Sequence, residues 1–318
     1  MMLRLEHLTK VYRKGVRAND DVSLDVAAGE VVGLLGNNGA GKTTLLNQVI
    51  GLARPTSGFI RIDGVDVVAD PARARQTCSL QPQSHAPLDG VTPRQAIEIM
   101  ARIRGASRRR ARERTTELIA GLDLGAWANK AGQQLSGGIR RLTAFCMAAA
   151  EPGRVVMLDE PTNDVDPVRR RLLWRHIRAL AADEGCAVLL VTHGVIEAER
   201  VIDRMVVLHH GRIVAEGTPA QLRGSHDDRL RLDLLGVSEA ATADLSPPLS
   251  IAGPAVVAGN RVTVTIGHAD ATAAIGWAQR LLTAGTIAGF AVNPASLEDV
   301  YIGLVGGREV TADATLAA

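Results

Sequence analysis

Apolar and polar positions alternate at the start of the chain, in Leu3-Arg4-Leu5-Glu6 and again in Val22-Ser23-Leu24-Asp25-Val26. A period of two predicts half-buried strands of a small antiparallel sheet. Gly58 to Gly64 predicts a further short strand closed by a turn. Other apolar runs do not alternate: Val31-Val32-Gly33-Leu34-Leu35, Val155-Val156-Met157-Leu158 and Ala187-Val188-Leu189-Leu190-Val191. Such runs suit strands covered on both faces of a mostly parallel sheet. Helical spacing appears at Leu45, Leu46, Val49 and Ile50, and at Ile97, Met100, Ala101 and Arg104. Residues 94–151 read as mostly helical, and Val168 to Ala182 as a crossover helix. Met205 to Leu208 and Arg212 to Val214 predict a hairpin across His209-His210-Gly211.

These elements make residues 1–223 one α/β domain with a helical subdomain at about 84–151. Residues 224–228, Gly-Ser-His-Asp-Asp, read as a linker, and Ser246-Pro247-Pro248-Leu249-Ser250 as a loop. Beyond the linker the pattern predicts strand (229–235), helix (237–245), strand (254–258), strand (261–266), helix (270–284), strand (286–292) and a last helix (296–305). That β-α-β-β-α-β order predicts a small accessory or regulatory α+β domain of ferredoxin-like type over 229–306. Residues 307–318 read as a flexible tail.

Composition narrows the class. Hydrophobic residues make up 46% of the 318, enough for a real core. Lys+Arg 36 against Asp+Glu 34 leaves +2, which argues against a dedicated nucleic-acid binder. Cys78, Cys146 and Cys186 are few and widely spaced, as expected of reduced structural thiols rather than a disulfide frame or metal site. The N-terminus lacks the apolar core of a signal peptide, and no apolar run is long enough to span a bilayer. A membrane role therefore calls for a partner chain. The seven arginines between Arg102 and Arg114 read as a solvated face or partner contact. His176, His209 and His210 read as surface residues, and Trp127, Trp174 and Trp277 as packing residues.

The candidate chemistry centres on Gly36-Asn37-Asn38-Gly39-Ala40-Gly41-Lys42-Thr43-Thr44. It fits G-x-x-x-x-G-K-[S/T], and it lies between an apolar strand and a helix. Glycines let backbone amides close on phosphate oxygens, and the helix N-terminus adds partial positive charge. Lys42 can reach the outer phosphates and Thr43 can hold Mg²⁺. Four of the 36 cations are lysines, and one of the four occupies this position. A second element is the apolar strand ending in Asp159-Glu160. Asp159 would hold Mg²⁺, leaving Glu160 to polarise an attacking water as general base. A third is Leu135-Ser136-Gly137-Gly138, where Ser136 can cap a helix and paired glycines let its first amides approach an anion.

Taken in order, these motifs resemble the ATPase subunit of ABC transporters over the whole first domain. The resemblance implies a P-loop ATPase cassette, with mixed sheet and helical subdomain, that binds and hydrolyses ATP with Mg²⁺. It assigns Tyr12 to adenine stacking, Gly36 to Thr44 to the phosphates, and Ser136, Gly137 and Gly138 to the nucleotide of an opposing copy. It makes Glu160, His193 and Lys42 catalytic, and Thr43, Gln83 and Asp159 the metal-site residues. Gln83 is preferred over Gln81 as the coupling glutamine because it follows a proline. Asn163-Asp164-Val165-Asp166 falls at the dimer-contact loop. Two departures stand out: Ile139 where glutamine is common, and Asn163-Asp164 where small residues are common.

The segments Gly211 to Pro219 and Ser296 to Tyr301 resemble single-cassette ATPases of drug-resistance-type exporters. This implies a homodimer joined through an ATP sandwich, a separate multi-helix membrane permease, and a place on the cytoplasmic face of the membrane. The rival is a soluble ABC-type ATPase acting on ribosomes or nucleic acid. Such factors usually carry two cassettes and a charged linker, whereas this chain carries one cassette and near-neutral charge. A non-hydrolysing regulatory module is opposed by the Asp159-Glu160 pair and by His193.

Overall fold

The computed structural model describes residues 1–84, 88–192, 195–223, 229–238, 245, 248 and 255–294. The linker 224–228, most of the expected helix 237–245, most of the loop 246–250, the last helix 296–305, the tail and His193 lie outside the described residues. The chain divides into two compact units, Met1–Thr218 and Pro219–Ala318.

The first unit runs β1 (Leu3–Val11), β2 (Arg17–Val26), β3 (Val31–Leu35), α1 (Lys42–Val49), β4 (Ser57–Ile62) and β5 (Val65–Asp66). It continues through α2 (Pro71–Thr77), β6 (Cys78–Gln81), α3 (Pro93–Ile103), α4 (Arg108–Gly121) and α5 (Gly137–Ala149). Then come β7 (Val155–Asp159), α6 (Pro167–Ala182), β8 (Ala187–Val191), α7 (Val195–Ala198), β9 (Arg204–His209) and β10 (Arg212–Gly217). Two sheets result. One has the order β2-β1-β4-β5 and is antiparallel; its alternating strands bury one face. The other has the order β10-β9-β3-β8-β7-β6, parallel except for the β9–β10 hairpin. Strands β3, β7 and β8 are buried at every residue, as their unbroken apolar runs require. One core joins the inner faces, with Leu3, Leu5 and Ile60 from the antiparallel sheet meeting Leu34, Met157 and Leu189.

The helices begin where local chemistry predicts. Thr92 and Gln95 form a reciprocal capping box before α3, with Pro93 in the first turn. Asp166 caps α6 by accepting from the Val168 and Arg169 amides, and Pro167 follows it. Helices α3, α4 and α5 pack together as a helical layer. The arginine-rich stretch is not uniform. Arg108, Arg109, Arg110 and Arg112 are exposed. Arg104 instead donates to the carbonyls of Glu151, Cys78 and Gln76, and Arg114 to that of Ala149 and to Glu184. These two tie helices to the sheet and to α6.

Two of the three histidines depart from the surface placement. His209 is buried at the end of β9 with its ring against His210, and half-buried His176 sits against Gly121 of α4. His209 is covered because β9 lies inside the sheet, between β10 and β3, whereas His176 lies on the partly covered side of an amphipathic helix. The tryptophans are packing residues: Trp174 and Trp277 are buried, and Trp127 takes the Arg169 guanidinium 4.4 Å from its ring centroid. All three cysteines are free and buried. Burial pushes the Cys78 and Cys146 thiols up to about 12 and that of Cys186 up to about 11, so they stay protonated and inert.

The second unit contains α8 (Pro219–Arg223), β11 (Arg229–Gly236), β12 (Ala255–Ala258), β13 (Arg261–Gly267), α9 (Ala271–Thr283) and β14 (Ile287–Pro294). Its sheet has the order β12-β13-β11-β14, antiparallel throughout. The first and third strands are central and the second and fourth are edges, the arrangement of a β-α-β-β-α-β unit. Leu232, Leu234, Val262, Val264 and Ile266 form one face, closed by Ala274, Trp277 and Ala278 of α9.

The described core of the first unit is built from residues between Met2 and Ile213. Residues 1–223 expressed alone should therefore fold, with a single cooperative thermal transition by circular dichroism. A fragment that lacks native helix signal or unfolds without a transition would show that the cassette depends on the second unit.

Candidate functional site

Strand β3, at the centre of the parallel sheet, delivers the chain to Gly36, and α1 begins six residues later at Lys42. The loop between them is fixed by its neighbours. Gly41 stands at φ +105°, and a Cβ there would lie 2.1 Å from the carbonyl oxygen of Ala18 on β2. Only glycine fits such an approach. Asn19, fully buried beside it, donates from Nδ2 to the Gly41 carbonyl at 3.3 Å and accepts from Gln48 Nε2 at 2.7 Å. On the other side the Gly211 amide donates to the Ala40 carbonyl at 3.0 Å. The loop is thus clamped between β2 and the β9–β10 turn, and its amides are preorganised at the N-terminus of α1.

A cleft of about 440 Å³ opens there. Its walls bring together Asn38, Gly39, Gly41, Lys42, Thr43 and Thr44 from the loop with Asp159 and Glu160 from β7 and with Gln83 after β6. Parallel pairing of β6 with β7 puts these strand ends side by side, where an α/β sheet binds ligands. Lys42 Nζ donates to the carbonyls of Gly36 at 2.5 Å and Asn37 at 3.0 Å. A lysine ammonium has three donors, so one is left to reach outward. Burial pushes the Lys42 ammonium below its ordinary pKa, while the negative charges of Glu160 and Asp159 oppose that shift.

Thr43 Oγ1 donates to Asp159 Oδ2 at 3.3 Å. Asp159 and Glu160 are both buried. Glu160 leaves the strand at φ +51°, its amide donating to Val191 O at 2.9 Å. The left-handed turn lets adjacent carboxylates part, and both line the cleft. The donor set near Thr43 is one carboxylate, one hydroxyl and the amide of Gln83, all hard oxygen donors that suit Mg²⁺ shared with phosphate. Among the described residues no group of three His, Cys, Asp or Glu side chains forms a protein-only metal site.

Other expected site residues stand elsewhere. Gly36, Asn37 and Ala40 form the back of the loop, and exposed Tyr12 has Lys10 Nζ 5.0 Å from its ring centroid. Gln81 is fully buried and donates to the Arg141 carbonyl, whereas Gln83 faces the cleft. Ser136, Gly137 and Gly138 do not line this cleft. Ser136 is exposed and caps α5, accepting from the Ile139 amide at 3.4 Å. A Cβ on Gly138 would lie 2.2 Å from the Asp164 carbonyl, so the glycine lets the contact loop seat on the start of α5. Ile139 is buried, which accounts for an apolar residue there. His193 lies outside the described residues.

Sequence reasoning missed Ala18, Asn19 and Arg141. Asn19 had a signal: a polar residue that interrupts the approach to the alternating strand Val22 to Val26. Ala18 acts through its backbone, which leaves no trace in residue type.

Comparison with known proteins agrees with this geometry. A family model described as "ABC transporter" matches residues 19–163. The chain is 41% identical to the daunorubicin/doxorubicin resistance ATP-binding protein DrrA of Streptomyces peucetius, over 71% of this chain and 68% of that one. It is 37% identical to the Nod factor export ATP-binding protein I of Burkholderia orbicola, over 70% and 73%. Among solved structures, the ATP-binding subunit of an ABC transporter aligns at TM-score 0.66 and 28% identity, over 71% of this chain and 93% of that one. A dimeric, post-hydrolysis cassette bound to ADP and Pi aligns at TM-score 0.62 and 27% identity, over 68% and 98%. With a phosphate loop, a buried Asp-Glu pair and a capped glycine helix in one α/β unit, this chain belongs to the ATP-binding, ATP-hydrolysing subunits of ABC transporters.

Proposed function

We propose that the cassette powers export through a separate membrane subunit, and that two copies face head to tail to complete each nucleotide site. One observation carries the second point: Ser136 and Gly137 lie off their own cleft, with Ser136 exposed at the N-terminus of a thirteen-residue helix. Capped amides and a helix dipole form an anion site, and an opposing copy supplies the anion. The similar cassette solved with ADP and Pi is itself dimeric.

Within each composite site, Lys42 and the loop amides hold the β- and γ-phosphates. Thr43 and Asp159, with Gln83, would hold Mg²⁺, which when bound would neutralise phosphate charge. Glu160 orients the attacking water and accepts its proton. Its burial in the cleft wall with Lys42 and Asp159 supports that role. Tyr12 stacks on adenine and His193 contacts the γ-phosphate; both roles rest on the resemblance.

Export follows from the relatives, whose names concern drug resistance and Nod factor export. Among the described residues no helix is long and apolar enough to cross a membrane. In this reading a separate permease holds the cassette at the cytoplasmic face, as the resemblance to single-cassette exporter subunits implies. A ribosome or nucleic-acid role is disfavoured by the +2 charge and by these relatives. The second unit carries no phosphate motif and is assigned to assembly or control of turnover.

Glu160→Gln should lower ATP hydrolysis by about two to four orders of magnitude while ATP binding persists. An ATP-dependent dimer should then accumulate on size exclusion. Near-normal turnover would remove Glu160 from this role.

Ser136→Arg and Lys42→Ala each disable one half of the composite site. Mixed, they should form heterodimers with one intact site and recover ATPase activity absent from either parent. Heterodimers that form yet stay as inactive as their parents would mean that the head-to-tail pairing is wrong or that turnover needs both sites intact.

A further inference from the structure

We propose that Arg141 is a positioning residue that couples the two nucleotide sites of the dimer. It would join the Gln83 segment, which lines one copy's cleft, to the helix whose N-terminus serves the other copy. The proposal rests on the composite-site reading above.

Arg141 sits in the second turn of α5 and is only 4% exposed. Its Nη1 donates to the carbonyls of Gln83 at 2.5 Å and Pro82 at 3.2 Å. In return Gln81 Nε2 donates to the Arg141 carbonyl at 3.3 Å, and Gln81 is fully buried. Side chain and backbone of one residue thus grip three successive residues at the end of β6. A buried guanidinium stripped of its acceptors is costly, so carbonyls and cation move together. The hydrogen bonds are to backbone, so the link survives rotation of the Gln83 side chain.

The geometry gives the link a direction. Ser136 lies five residues before Arg141, about 7.5 Å along a continuous helix. Ser136 caps this stretch, accepting from the Ile139 amide. Gln83 meets whatever enters its own cleft. Displacement of residues 82–83 by that nucleotide is therefore passed to the start of α5, and so to the opposing site. Occupancy of one site then sets the geometry of the other.

The test compares Arg141→Lys and Arg141→Met in the full chain, each alone and combined with Glu160→Gln. The Lys variant keeps the charge but loses the planar fork; the Met variant keeps bulk and loses every donor. Three readouts are taken: affinity of monomer for a fluorescent ATP analogue, ATP concentration for half-maximal dimerisation, and Hill coefficient of hydrolysis.

In Arg141→Met, monomer affinity should stay within about two-fold, while the ATP needed for dimerisation rises about ten-fold. The Hill coefficient should fall from about two toward one. Arg141→Lys should recover part of both effects, and if the Met variant fails to fold, the Lys variant decides through the same split. Wild-type dimerisation and Hill coefficient in a folded variant would overturn the role of Arg141. Equal loss of monomer affinity and dimerisation would also overturn it, by making the residue merely structural. If Glu160→Gln alone forms no ATP-dependent dimer, the composite-site reading fails instead.

Discussion

The nucleotide cleft depends on a backbone contact between Gly41 and Ala18 that leaves no room for a Cβ. Phosphate recognition by a loop requires its amides to be fixed before the ligand arrives. Here fixation comes from outside the loop. Strand β2 presses on Gly41, Asn19 holds its carbonyl, and Gly211 holds that of Ala40. The antiparallel sheet is therefore part of the site: it presents β2 at the height of the loop, and the shared core holds the two sheets in that relation.

Much of this was legible in the chain, for identifiable reasons. Unalternating apolar runs located β3, β7 and β8 because a strand covered on both faces has no polar positions. The glycine-lysine loop and the Asp159-Glu160 pair were legible because phosphate and water activation need those residue types. In the second unit, strand order and antiparallel pairing follow the β-α-β-β-α-β pattern for the described strands. The contacts that position the loop were not legible. Ala18 and Asn19 act through a carbonyl and a buried amide, and neither has a motif. His209 and His176 were expected at the surface because no metal-ligand partner stands at suitable spacing, whereas His209 is buried in β9 and His176 half-buried on α6. Arg104 and Arg114, expected on a solvated or partner-contacting face, instead turn their forks to backbone carbonyls inside the protein.

The site divides labour between two halves of one chain. Loop, carboxylates and Gln83 converge on one cleft, while the capped start of α5 points elsewhere. The start of α5 lies outside this cleft, as the proposed completion by a second copy would require. Contact between Gly138 and the Asp164 carbonyl ties that outward face to the loop that follows Glu160, and Arg141 ties it to Gln83. The two halves are thus joined at two points by backbone hydrogen bonds and close packing, interactions that tolerate little relative movement.

The direct measurement is the affinity of Gly41→Ala for a fluorescent ATP analogue, with unfolding followed in parallel. Position 41 contributes no side chain to phosphate, so a change in binding reports the loop's backbone rather than a lost contact. The account predicts retained cooperative unfolding with affinity reduced by about ten-fold or more, given strain at a left-handed position on top of the clash. Wild-type affinity in Gly41→Ala would contradict it, because the loop would then hold phosphate without the contact to Ala18.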